Sequence, residues 1–226
     1  MTTVNAAAIR VSPMLYDLEP MGPRAAMTVS VQNTNSTPVT FEVAVLRREI
    51  GLNGEDTQTP AEDDFAVFPP QGIVQPGATQ AVRVQYVGAP NIDASRNYVI
   101  MFSELPVDLD GQERAGIRFV FSFGVSVSVI PRDARADIQV IEASRNGDQL
   151  QIRVRNNGRA VARLGDYTWE LRNEGGARVA LSGDPVREQI PQPLIQPGTE
   201  RLVHFQVPPE LRNGGAITAS LRPPRT

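Results

Sequence analysis

The side chains that do most enzymatic chemistry are nearly missing from this chain. Its 226 residues include one His, no Cys and no Lys. Without Cys there is no thiol nucleophile, no disulfide and no thiolate zinc site. One His leaves no ordinary transition-metal site and no Ser–His pair with supporting neighbours. That residue, His204, lies in Leu202-Val203-His204-Phe205, where alternation puts it on the face opposite Val203 and Phe205, as on a surface or edge strand. A phosphate loop of the G-x-x-x-x-G-K-[ST] type needs a Lys, and no G-x-G-x-x-G run occurs. Asp108-Leu109-Asp110-Gly111 has half the look of a calcium loop, but the remaining ligands are absent and a hairpin turn accounts for it. Glu55-Asp56 and Asp63-Asp64 fit solvated loop charges. These residues predict no catalytic group, no metal site and no cofactor.

Charge narrows the partners. The formal net charge is −3 and 21% of residues are charged, which argues against an electrostatic hold on nucleic acid or an anionic membrane. No apolar run is long enough to cross a bilayer, so no membrane insertion is expected. The start, Met1 to Ala8, lacks the charged and apolar regions of a signal peptide, so an exported form would be without its leader here. All 22 basic residues are Arg. A G+C-rich genome produces that bias; so does a need for bidentate carboxylate binding.

The segment that stands out is Ile117 to Ile130, I-R-F-V-F-S-F-G-V-S-V-S-V-I. Ile117, Phe119, Phe121, Phe123, Val125, Val127 and Val129 alternate with Arg118, Val120, Ser122, Gly124, Ser126 and Ser128. An extended chain of this length reaches roughly 45 Å, about twice an ordinary strand. Two readings follow. One long core strand continues into a linker, or part of the apolar stripe is left for another chain to bury.

The elements around it are strands. Ala26–Gln32, Thr40–Leu46, Gln80–Val87 and Asn97–Leu105 alternate or run apolar, with turn clusters such as Asn33–Ser36 and Gln75-Pro76-Gly77 between them. Asn53 to Asp64 reads as a polar loop. Pro131–Ala136 breaks the pattern and is the best linker. A second set follows: Asp137–Ala143, Gln149–Asn156, Tyr167–Leu171, Glu200–Val207 and Ala216–Arg222. Gln196-Pro197-Gly198 precedes one of these as Gln75-Pro76-Gly77 precedes Gln80–Val87. The weak repeat predicts two all-β, immunoglobulin-like sandwich domains in tandem, residues 6–131 and 135–226, with helix only as single turns.

The order of motifs resembles the periplasmic pilus chaperones of the chaperone–usher pathway. The matching pieces are Ile9–Tyr16, Val29–Asn33, Phe68-Pro69-Pro70 through Gln75-Pro76-Gly77, Val82-Arg83-Val84, Arg96-Asn97-Tyr98, Ser103-Glu104-Leu105-Pro106 and the long strand ending at Pro131. The second domain matches only in outline. The resemblance implies a non-enzymatic, ATP-independent chaperone of the periplasm. It would cap pilus subunits by donor-strand complementation, a form of strand addition, and hand them to an outer-membrane usher. It places Ile117, Phe119, Phe121 and Phe123 as the donated side chains, and it allows self-association through that edge, or ordering of Val107–Gly116 over it, when no subunit is bound. The best-studied branch anchors the subunit's terminal carboxylate with an Arg and a Lys. Those positions fall here on Pro13 and near Ser126 or Gly124, and the V-S-P form of the first strand looks like the archaic (alternative) branch. The anchor must then come from elsewhere: Arg83 and Arg96 first, with Arg10 and Arg118 as further candidates. The competing readings are a two-domain cell-surface adhesive or structural protein, which would bury the Phe119–Phe121 stripe, and a β-sandwich carbohydrate-processing enzyme, which would need a pocket of convergent carboxylates.

Overall fold

The computed structural model describes residues 9–105 and 120–224. The chain divides into two compact units just after Ile130. The first comprises the chain up to Arg48 with Gln58–Ile92 and Asn97–Ile130; the second comprises Pro131 onward with two short segments of the N-terminal half, Glu49–Thr57 and Asp93–Arg96.

The first unit is a two-sheet sandwich. Its strands are β1 (Ile9–Ser12), β2 (Leu15–Leu18), β3 (Ala26–Asn33), β4 (Val39–Ile50), β5 (Asp56–Pro60), β6 (Phe65–Phe68), β7 (Gln71–Val74), β8 (Thr79–Tyr86), β9 (Arg96–Leu105) and β10 (Ser122–Val129). One sheet runs β1-β3-β8-β6; the other runs β2-β10-β9-β4-β5, with β7 also on β4. Period-2 alternation decides which side chains go inside. In β3 the buried residues are Met27, Val29, Val31 and Asn33; in β8 they are Val82, Val84 and Tyr86. Phe65 closes one end of this core edge-on against Tyr86 and Tyr98, at 5.3 and 4.9 Å between ring centroids. Buried Tyr98 keeps its hydroxyl satisfied by donating to Asp64 Oδ2 at 2.6 Å.

Two expectations change. The N-terminal strand expected over Ile9–Tyr16 is two strands: β1 pairs antiparallel with β3, the chain breaks at Pro13, and β2 pairs parallel with β10 in the opposite sheet. Pro13 has no N–H to offer a ladder, which is why the break falls there. The polar loop expected over Asn53–Asp64 contains β5, whose residues are all exposed. An edge strand with both faces in water has no apolar alternation to betray it.

The second unit has β11 (Ile138–Asn146), β12 (Gln149–Asn156), β13 (Ala162–Arg163), β14 (Thr168–Asn173), β15 (Arg178–Leu181), β16 (Leu194–Ile195), β17 (Glu200–Gln206) and β18 (Ile217–Arg222). They form the sheets β11-β12-β17, β13-β16 and β15-β14-β18. Among the described residues the only α-helix is α1 (Asp184–Gln189), under two turns long. Trp169 is fully buried at the centre, edge-on to Phe205 at 4.9 Å, with its indole N–H donated to Leu164 O at 3.1 Å. Arg201 is 3% exposed and donates to Leu194 O and Gln192 O, both at 3.0 Å. Burial pulls its pKa below the ordinary arginine range, and the Glu55 charge opposes that pull.

The two units share one buried device. Asn33 Nδ2 donates to Thr37 O and Val74 O, its Oδ1 accepts from Asn35 N, and its backbone exchanges bonds with Ala78 and Gly77. Asn156 repeats this with Ala160 O, Ile195 O, Gly158 N, Thr199 and Gly198. The repeated Gln-Pro-Gly turns are thus the outer half of one motif, and a fully buried Asn is the inner half. Each places the same strand junction in its own sandwich. Gly158 belongs to it by necessity, since a Cβ there would lie 2.3 Å from Arg135 O and 2.5 Å from Asp137 N.

Candidate functional site

Strand β10 leaves its own core gradually. Val125, Val127 and Val129 are fully buried, and Phe123 is partly buried and packs on the same core. Phe121 is 37% exposed and Val120 52%. The C-terminal half of the alternating stripe is core, and the stripe emerges from that core toward Phe121. Ile117, Arg118, Phe119 and all of Val107–Gly116, Asp108–Gly111 included, lie outside the described residues.

The backbone edge opens at the same place. On one flank β10 meets β9, and that pairing extends to Phe121, whose C=O accepts Glu104 N at 2.9 Å. On the other flank β2 pairs only with Ser126–Val129; Ser126 N donates to Met14 O and Ile130 N to Leu18 O. Successive N–H groups in a strand point to alternate sides, so Ser122 N–H and Gly124 N–H project to the flank that β2 has left. Among the described residues no strand pairs with Ser122–Val125 on that flank. Unpaired edge groups beside the exposed ring of Phe121 are a template for strand addition.

The other face of β10 is built small so that the sheet stays close. Ser122 Oγ and Ser103 Oγ share a hydrogen bond at 3.0 Å, and Asn97 Nδ2 donates to Ser128 Oγ at 2.9 Å. Gly124 sits where a Cβ would meet Val99 Cγ1 at 2.8 Å, so a larger residue pushes the strand off its neighbour. Arg48 Nη1 donates to Ser126 Oγ at 3.3 Å.

The candidate arginines separate by sheet. Arg10 is exposed on β1 opposite Gln32, and Arg83 is exposed on β8 opposite Thr28 and Phe68. Both lie on the outer face of the sheet that does not contain β10. Arg96 opens β9, in the β10 sheet, and is half-buried. Arg48, which sequence reasoning passed over, stands on β4 in that same sheet with its guanidinium at β10. The signal was available: counting by twos along β4 puts Arg48 on the face of Thr40 and Glu42, which turns away from the core. His204 is exposed and shares a bond with Gln151, as its alternation suggested. Among the described residues no cluster of His, Asp and Glu is arranged to hold a metal.

Comparison with known proteins decides the family. The model for "Pili and flagellar-assembly chaperone, PapD N-terminal domain" matches residues 19–134, just over half of the chain. The chain belongs to this family of pilus-assembly chaperones. Among solved structures, a chain of the chaperone–tip adhesin complex of CFA/I fimbriae biogenesis aligns with a TM-score of 0.61 and 15% identity, covering 96% of this chain and 92% of that one. The E. coli chaperone DraB aligns at 0.57 and 17% identity, covering 94% and 96%. The CsuC–CsuE chaperone–tip adhesion subunit complex from archaic Csu pili of Acinetobacter baumannii aligns at 0.52 and 14%, covering 85% and 91%. At these identities the likeness is one of fold, and it extends the two-sandwich architecture across both units of this chaperone. A comparison with curated proteins finds no match.

Proposed function

We propose that this chaperone works in the periplasm, caps pilus subunits by lending them strand β10, and delivers them to an outer-membrane usher. The observation that carries the reading is the coincidence, on one strand, of an open backbone edge at Ser122–Val125 and an apolar stripe leaving the core at Phe123 and Phe121. An adhesive or structural sandwich has no use for either, since exposed apolar edges invite association. Solved complexes support the choice of partner: CsuC is paired with a tip adhesion subunit and SafB with the SafA pilin.

Within this reading Ile117, Phe119, Phe121 and Phe123 are the donated side chains. Of the anchor candidates, Arg96 lies in the sheet of β10, whereas Arg83 and Arg10 are on the far sheet. We assign the carboxylate anchor to Arg96, because a guanidinium offers two parallel donors to a carboxylate. Co-expression with a candidate subunit tests the assignment. Wild type should co-purify with the subunit; Phe121→Asp and Arg96→Ala should lose it while remaining folded by circular dichroism. Retention of the subunit by both variants would overturn the reading.

A further inference from the structure

The second unit carries a charged surface on a sheet that does not contain β10. On the outer face of the sheet β15-β14-β18, Arg172 stands directly opposite Arg178 on one side and Thr218 on the other. Two like charges in register across an antiparallel pair destabilise it, so such a pair is out of place unless something negative sits on it. Nothing in the described residues does: neither guanidinium has a hydrogen-bond or ion-pair partner there. The one acidic side chain on this face, Glu170, is engaged by Arg222. The face therefore holds three Arg and one Glu, a local excess of positive charge on a chain whose net charge is −3.

The relief of the surface matches its charge. Between the long arginines the exposed positions are small: Ala180 and Ser220 flank Glu170. They leave a shallow depression of about 510 Å³ over the three strands. Along β14, outward residues follow each other every second position, about 6.8 Å apart. An extended chain presents its own alternate side chains at that same pitch.

We infer that this face is a docking surface for an extended acidic polypeptide segment. A carboxylate of the segment is held between Arg172 and Arg178, and a second, four residues along, reaches Arg222, which stands opposite Thr168. Charge complementarity selects carboxylates, and the match of pitch selects a polypeptide over a single small anion. The site is independent of β10.

The test is a titration of the full chain with a blocked hexaglutamate peptide, followed by amide chemical shifts and by calorimetry. Shifts should concentrate on β14, β15 and β18, and affinity should fall steeply between about 50 and 500 mM salt. Arg172→Ser with Arg178→Ser should weaken binding about tenfold or more, since both charge-assisted donors are lost. The pair Arg155→Ser with Arg212→Ser removes the same charge elsewhere on this unit and should leave binding nearly unchanged. The thermal midpoint of the Arg172/Arg178 variant should equal or exceed wild type, because a repulsion has been removed. Equal weakening by the two double variants would reduce the effect to net charge and overturn the proposal. So would inorganic phosphate binding as tightly as the peptide, or a fall in midpoint showing that the two arginines serve the fold.

Discussion

Replacing Asn156 with Ala should destabilise the second unit more than most single substitutions can. The side chain is fully buried and serves four groups: Nδ2 donates to Ala160 O at 2.8 Å and Ile195 O at 3.3 Å, and Oδ1 accepts from Gly158 N at 3.0 Å and Asp137 N at 3.2 Å. A buried group stripped of its partner costs about 1–3 kcal/mol, and one that water can reach costs much less. Asp137 is exposed and Gly158 half-buried, so their N–H groups recover part of the loss in water. The two carbonyls dominate, and the total comes to about 3–4 kcal/mol. Against a typical domain stability of about 5–15 kcal/mol that is a large fraction. For a unit of this size it corresponds to a fall in midpoint of roughly 15 °C or more. The only Trp of the chain, Trp169, is buried in this unit, so its fluorescence during urea or thermal unfolding reads the transition directly. Asn156→Asp keeps the acceptor and loses the donors, so it should fall near or below Ala. A loss under about 1 kcal/mol in Asn156→Ala would refute the claim that the buried carbonyls depend on this side chain.

Along β10 the cost of a charge should follow the emergence of the strand. Val127→Asp, at a fully buried position, should unfold the first unit, whereas Phe121→Asp should leave its midpoint within a few degrees; circular dichroism melts compare them. Gly124→Ala should cost about 1–3 kcal/mol by pressing on Val99, read as a lower midpoint without loss of the strand signal. Arg201→Ala should destabilise the second unit by about 2–4 kcal/mol in urea titrations, because Leu194 O and Gln192 O lose their donors.

Much of this architecture was legible from residue order. Alternation located β3, β8, β12, β17 and β18 to within a residue or two, because each has one face in a core and one in water; β9, buried on both faces along its first half, read instead as a nearly continuous apolar run. What alternation cannot show is an element without that contrast. β5 is polar on every side, and β13 and β16 are two residues each. The split of β1 from β2 was written in Pro13 but is easily passed over between two apolar runs. The paired Gln-Pro-Gly turns were visible, yet their meaning lay in Asn33 and Asn156, whose partners are distant in sequence. For the site, the stripe itself marked β10. Where it leaves the core depends on how far β2 reaches along it, a tertiary fact. The arginine candidates could be enumerated but not sorted, since only the sheet assignment separates Arg96 and Arg48 from Arg10 and Arg83.

Amide hydrogen exchange at Ser122 and Gly124, in the free chaperone and in a stable complex with a pilus subunit, tests the donor-strand account most directly. In the free protein both N–H groups should exchange quickly, while Ser126 and Ile130, bonded to Met14 O and Leu18 O, are protected. Binding of a subunit should protect Ser122 and Gly124 and leave Ser126 and Ile130 unchanged. Continued fast exchange at Ser122 and Gly124 within the complex would mean that no strand is added at this edge, and β10 would not be the donor.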